Sequence, residues 1–440
     1  MWDTVGWQRR RNGPRPPGPR TPSRSQRERS GKAPGGQPGH RGHTLALAER
    51  PDLVVPHHPT QCARCGTVLG DAPAVAVARR QVVDLPPLAL VVTEHRAATV
   101  CCPHCQHATT APCPAHIAAP VQYGPRLLGL GVYLRHDQLL PDARIRATLL
   151  DLFGASPACD TLAAAGATAH AALAPVEAVV AAALCAAPQA HADETRIRVA
   201  GRRAWVHVVS TATLTHDARH ARRGQAATDA IGLLPRCAGR LIHDSWASYW
   251  HDHGAHGRCN AHHLRELTAL AEQPGQAWAT DLHALLRALH RHVCQGRAVG
   301  LTASPPIERA AFVAQYRDLL AAGYAANPPP TRPPDGPHRG RLKRTPARNL
   351  LDRLRTHADA VLAFLHDWTV PFDNNQAERD LRMIKVQQQI SGTFRDPAGA
   401  DIFCRPRGYI ATLRKQAAPI LVALEQTIAG QPPLPSLLPV

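Results

Sequence analysis

At 440 residues the chain is too long for one compact domain, and two to four units are expected. A formal charge of +18 points to a polyanionic partner, most simply nucleic acid, although 47 of the 51 basic residues are arginine, so part of the excess follows from a high-GC coding bias. Twelve cysteines without an apolar leader, and a most apolar run of only 178–187, argue against a secreted disulfide scaffold and a membrane span. A cytoplasmic, nucleoid-associated bacterial protein with reduced or metal-bound cysteine is expected.

Residues 1–50 carry eleven basic against three acidic side chains amid Pro and Gly, the composition of a disordered basic tail. Within 51–118 two C-x-x-C pairs follow, Cys62 with Cys65 and Cys102 with Cys105. Paired knuckles supply four thiolates for a tetrahedral structural Zn²⁺, and the Val-rich stretches 81–85 and 89–93 read as the hairpin of a zinc ribbon. Cys101 and Cys113 are spare, and Cys101 could stand in for Cys102.

Residues 119–188 are helical and Ala/Leu-rich, a helical linker or a helix-turn-helix-like region. Helices over 139–153 and 158–172 flank a Gly-Ala-Ser-Pro break, but the second has few groups able to reach bases, which favours plain packing. Residues 189–272 change pattern: strands over 196–199, 205–210 and from 211, a helix over 226–234, and a fourth strand from 240. Asp193 and Asp244 fall at two strand ends, where a buried acid is expensive unless paired or metal-bound. Cys259 and His262 have metal-ligand spacing but form an incomplete site, and packing with DNA contact is the preferred reading.

A helical insertion over 273–370 includes a basic Pro/Arg loop at 327–347. In the next segment, 371–430, Asp373, Asn374 and Asn375 start a helix and Glu378 follows three residues after Asn375, a capping-box-like arrangement. Alone, Glu378 would cap the helix and pair with Arg382. With two strand-end acids upstream, it instead reads as a third metal-holding acid, with Arg379, Arg382 and Lys385 meeting DNA phosphate. The tail 431–440 should fray. Two acids on adjacent strands and a third on a late helix describe a ribonuclease-H-like core, in which carboxylates hold two metals ~3.5–4 Å apart for in-line displacement at phosphorus.

The segments GGQPGHRGHTL (35–45), both knuckles, HADET (191–195), HARRGQAATDAIGLLP (220–235), HDSWASY (243–249), CNAHHLREL (259–267) and DNNQAERDLRMIK (373–385) resemble, in order, the transposases of the IS66 insertion-sequence family. The resemblance implies a multidomain α+β protein: an N-terminal zinc ribbon and helical DNA-binding region, then a ribonuclease-H-like α/β catalytic core with a helical insertion. It makes Asp193, Asp244 and Glu378 the catalytic acids, holding Mg²⁺ or Mn²⁺. It implies double-stranded DNA partners, terminal inverted repeats and target, a homo-oligomer assembled on DNA, and helper proteins of the same element. The family commonly has a longer helical, zipper-like N-terminal segment, where the basic, Pro-rich tail stands before GGQPGH in this sequence. Two rivals stay open: a catalytically inactive zinc-ribbon DNA-binding protein, and another ribonuclease-H-like nuclease that hydrolyses DNA without joining ends.

Overall fold

The chain divides into two units, residues 1–87 and 88–440. The computed structural model describes residues 35, 39–40, 42, 44–70, 72–114, 117, 119–251, 254–330 and 342–437. Most of the tail expected at 1–50 and most of the basic loop at 327–347 lie outside them.

In the first unit the Cys62 knuckle closes on backbone hydrogen bonds: Cys62 N–H donates to the Thr67 carbonyl (2.8 Å) and Gly66 N–H to the Cys62 carbonyl (2.9 Å). Gly66 sits at φ 73°, which glycine adopts without a Cβ clash. The second unit opens with the same turn. Cys102 N–H donates to His107 (2.9 Å), Gln106 N–H to Cys102 (2.8 Å), and Gln106 takes φ 61°. That knuckle is flanked by β1 (Thr99–Cys101) and β2 (Ala108–Thr110), paired antiparallel. These are the strands of this region; 81–85 and 89–93 form none. β-branched residues favour strands where a pleated face is half-buried, whereas Val82, Val91 and Val92 are fully exposed and have no layer to pack against. Cys101 lies in β1, so Cys102 is the knuckle residue.

Four helices follow: α1 (Pro125–His136), α2 (Asp142–Phe153), α3 (Cys159–Ala172) and α4 (Ala174–Ala186). Gly154, left-handed at φ 71°, ends α2 as the Gly-Ala-Ser-Pro break suggested. α3 buries Leu162, Ala165, Gly166 and Ala169.

The chain then builds a five-stranded mixed sheet from β3 (Gln189–Val199), β4 (Arg202–Ser210), β5 (Thr215–His220), β6 (Arg240–His243) and β7 (His256–Arg258), with α5 (Gln225–Ile231) between β5 and β6. Strand order is β5-β4-β3-β6-β7, antiparallel on the β4–β5 side and parallel on the β6–β7 side. The first strand begins at Gln189, so Asp193 lies inside it rather than at an end. β7 was not legible, because its three residues, His-Gly-Arg, are polar. It is nonetheless buried, and a Cβ at Gly257 would meet Ile242 Cδ1 at 2.5 Å.

Beyond the sheet come α6 (Asn260–Ala271), α7 (Ala277–Ala298), α8 (Pro306–Ala326), α9 (Pro346–Thr356) and the single turns α10 (Ala358–Val361) and α11 (Ala363–His366). They share a core of Leu282, Leu286, Leu289, Tyr316, Leu350 and Phe364 that also takes in Ile242 of β6. Then α12 (Asn375–Ser391), α13 (Pro397–Lys415) and α14 (Ile420–Ile428) close the fold. α12 lays Ala377, Leu381 and Ile384 on Ile197, Val199, Val206 and Val208 of β3 and β4. Burying each larger apolar side chain stabilises by roughly 1.5–3 kcal/mol, and this contact fixes α12 against the central strand. Among the described residues no single helix is long and apolar enough to cross a membrane.

Candidate active site

Three segments distant in sequence meet at the parallel side of the sheet. Asp193 projects from β3 toward α12, since odd-numbered β3 residues share the face of Ile197 and Val199. Asp244 follows the last residue of β6, the strand paired with β3, and its Oδ1 accepts from Trp246 N–H (2.8 Å). Glu378 stands in the first turn of α12.

Their mutual field is visible at Asp193. Its carboxyl is pushed up to about 7, first by burial, then by the charge of Glu194, with Asp244 and Glu378 adding to the push; the Glu194 N–H bonded to its Oδ1 pulls the other way. Glu378 Oε1 is buried with no hydrogen-bond partner. Its nitrogen-bearing neighbours stand off, His262 Nε2 at 3.9 Å and, at the other oxygen, Arg265 Nη2 at 4.0 Å. A cluster of carboxylates short of positive charge gains most from a divalent cation.

The capping reading of this helix fails on the structure. The residue before α12 is Asn374, and its side chain makes no cap bond. Its amide donates to the Ala192 carbonyl (2.9 Å), its Oδ1 lies 2.8 Å from His191 Nδ1, and its backbone N–H donates to Cys259 Sγ (3.2 Å). Asn374 therefore pins the start of α12 to β3 and to the head of α6. Asp373 takes the local turn role, accepting from Asn375 N–H (3.0 Å). Nor does Glu378 pair with Arg382 among the described residues. Arg379, Arg382 and Lys385 are exposed along α12, with Arg379 donating to Gln376 Oε1 (2.8 Å).

Cys259 and His262 are less isolated than their spacing implied. Single donor atoms of Cys259, His262 and Glu378 lie within 4.8 Å of one another, the one such group of three metal-capable side chains among the described residues. The Cys259 thiol is pushed up to about 11 by burial. The C-x-x-H spacing was the available signal; the missing partner was supplied by a helix more than a hundred residues later.

Glu194, next to Asp193, faces the other way. Its Oε1 accepts from Arg223 Nε (2.8 Å) and Nη2, and its Oε2 from the Tyr249 hydroxyl. The Arg223 guanidinium lies 4.1 Å from the Trp246 ring and 4.9 Å from that of Trp205.

In the knuckles, the Cys65 thiol is lowered to about 7, chiefly by Thr67, and Cys102 is lowered chiefly by backbone groups of Cys105 and His104. Lowered thiols suit thiolate ligands.

The model of the IS66 transposase family matches residues 120–402, and that of the zinc-finger binding domain of IS66 transposases matches residues 59–106. No curated protein matches the chain. The first match takes in well over half of the sequence, including the strands and helix that carry Asp193, Asp244 and Glu378, and the chain belongs to the IS66 family of transposases.

Proposed function

We propose that the protein binds the terminal inverted repeats of its element and carries out metal-dependent DNA cleavage and strand transfer through Asp193, Asp244 and Glu378. The observation that carries this is the field at Asp193, a carboxyl raised to about 7 by burial and by acids that include Asp244 and Glu378. A ribonuclease-H-like reading of the sheet is supported by its order, with one acid on the central strand, one after the adjacent parallel strand and one on a late helix packed over the central strand and its antiparallel neighbour.

The unpartnered Glu378 Oε1 and the acids that raise Asp193 support a Mg²⁺ or Mn²⁺ site drawn from these carboxylates, although their oxygens are not all within ligating reach of one another among the described residues. Such ions would supply Lewis-acid stabilisation of the attacking and leaving oxygens of the phosphodiester. The chain's own part is positional. Asn374 fixes where Glu378 enters, His262 and Arg265 bias its carboxylate, and Arg379, Arg382 and Lys385 meet the backbone phosphates of the bound duplex. Cys62, Cys65, Cys102 and Cys105 would share one structural Zn²⁺, a reading supported by two copies of one turn within one zinc-finger match. Zinc content near one per chain would bear it out; none in the folded protein would not. Target DNA, a homo-oligomer on DNA and helper proteins of the element complete the proposal, with action at the bacterial nucleoid.

The test is a cleavage and strand-transfer assay on the DNA flanking the gene. Wild type should cut and join ends with Mg²⁺ or Mn²⁺, while Asp193→Asn, Asp244→Asn and Glu378→Gln bind the same DNA but lose roughly 10³-fold or more in rate. Combining the substitutions should add little, because groups acting as a unit are non-additive. A fully active Glu378→Gln protein would return α12 to a structural role.

A further inference from the structure

The face of the sheet opposite the acids carries a second charged surface. On β3, Asp193, Ile197 and Val199 turn toward α12, so Glu194, Arg196 and Arg198 turn away. The antiparallel register sets Arg198 directly across from Arg203, Arg196 across from Trp205, and Trp205 across from His220 of β5. Arg196, Arg198 and Arg203 are exposed, and none forms an ion pair with a described residue. The one acid on this face, Glu194, is already neutralised by Arg223 and Tyr249.

Two arginines directly opposite on neighbouring strands repel, and a fold ordinarily relieves this with an acid across the pair. Here β4 offers Arg203, Trp205 and His207 on that face instead. Arg198 finds only a long contact to the Gly201 carbonyl (3.4 Å) within its own turn. The repulsion is relieved if an anion lies over the row. Arg196 and Arg198 stand two residues apart on one strand, about 6.6 Å, on the order of the through-space separation of neighbouring phosphates along one DNA strand.

We propose that Arg196, Arg198 and Arg203 form a sequence-independent docking row for the phosphate backbone of duplex DNA. By strand alternation this segment lies on the other side of the sheet from the phosphodiester presented to Asp193. The inference rests on the DNA-processing reading above and extends it from one DNA-contacting face to two. The row steadies a second stretch of duplex and reads no bases, since its groups are spaced for phosphates and Trp205 is half-buried beneath them.

The test uses the full-length protein and two duplexes, one bearing the element's ends and one of random sequence, with affinity measured across a salt series. The R196A/R198A/R203A variant should bind both duplexes more weakly, with the slope of log affinity against log salt smaller by about 2 to 3, near 0.9 per lost phosphate contact. R196K/R198K/R203K should keep the slope, and melting of the alanine variant should not fall below wild type, because a like-charge pair has been removed. A control, R291A/R297A/R317A on α7 and α8, removes equal charge elsewhere. An unchanged slope in the first variant, an equal loss in the control, or a lysine variant as weak as the alanine one overturns the docking row. Failure of wild type to cleave with metal would sink the catalytic reading and leave these slopes standing.

Discussion

Asp193 and Glu194 are consecutive on one strand and are both largely withdrawn from water, yet the fold treats them in opposite ways. Glu194 receives Arg223, held between Trp246 and Trp205, and the Tyr249 hydroxyl. Asp193 receives only the N–H of its neighbour and further negative charge from Asp244 and Glu378. A buried carboxylate supplied with its own cation and donors is a strut. One surrounded by other acids is costly to the folded state, and that cost is relieved by something the chain does not itself contain. The α12 side of β3 therefore leaves a buried carboxylate uncompensated, while the opposite side supplies Glu194 with its own partners.

The contrast can be sharpened at Asn374, the residue that ties α12 to β3. Asn374→Ala removes the bonds to Ala192 and His191 without touching a carboxylate. Cleavage should fall about 10–100-fold, the usual loss when a group orienting a metal ligand is removed, and raised Mg²⁺ should recover part of it. Loss of stability with cleavage intact would mean that Asn374 is only a helix anchor.

Glu194→Gln probes the other side. Arg223 is partly exposed and can reach water, so the substitution should cost about 1–3 kcal/mol of stability, read as a lower melting temperature. Cleavage at a temperature where the variant is folded should remain substantial. If Glu194→Gln instead matched Asp193→Asn in lost activity with unchanged melting, the division between the two faces would be wrong.

The smallest effect is in pH. An ordinary aspartate titrates near 4 and folded Asp193 near 7. Between those values the native state holds a proton that the unfolded chain has released, so stability falls as pH rises from about 4 through 7. A divalent cation reverses this by stabilising the ionised form, so Mg²⁺ should raise the melting temperature by more at pH 8 than at pH 5. Buried Asp217, also raised to about 7, contributes a metal-independent slope. The Mg²⁺-dependent difference should vanish in Asp193→Asn; if it persisted there, Asp193 would not be its source.

Much of this site was legible because its parts are chemically unusual in sequence. C-x-x-C spacing is a local device, and both knuckles close within five residues on their own backbone. Asp193 and Asp244 stood out because acids are costly inside apolar strands. What stayed hidden depends on partners far along the chain. Asn374 reads as a helix cap, and only the fold shows its amide bonded to β3, over 180 residues away. Cys259 and His262 gave a two-ligand spacing whose third member, Glu378, is delivered by α12 after a helical insertion. β7 was missed because its polar residues carry no strand pattern and are buried by the helices around it. The valines of 81–93 erred the other way, since strand propensity needs a face to bury and that stretch has none.

The central claim is that Asp193, Asp244 and Glu378 bind catalytic metal together, and the location of Mn²⁺ tests it most directly. Anomalous scattering from a crystal of the protein with its end DNA and Mn²⁺ should give density within coordination distance of all three carboxylates. Manganese held only by Glu378 with Cys259 and His262, or absent from Asp193 and Asp244, would contradict the account.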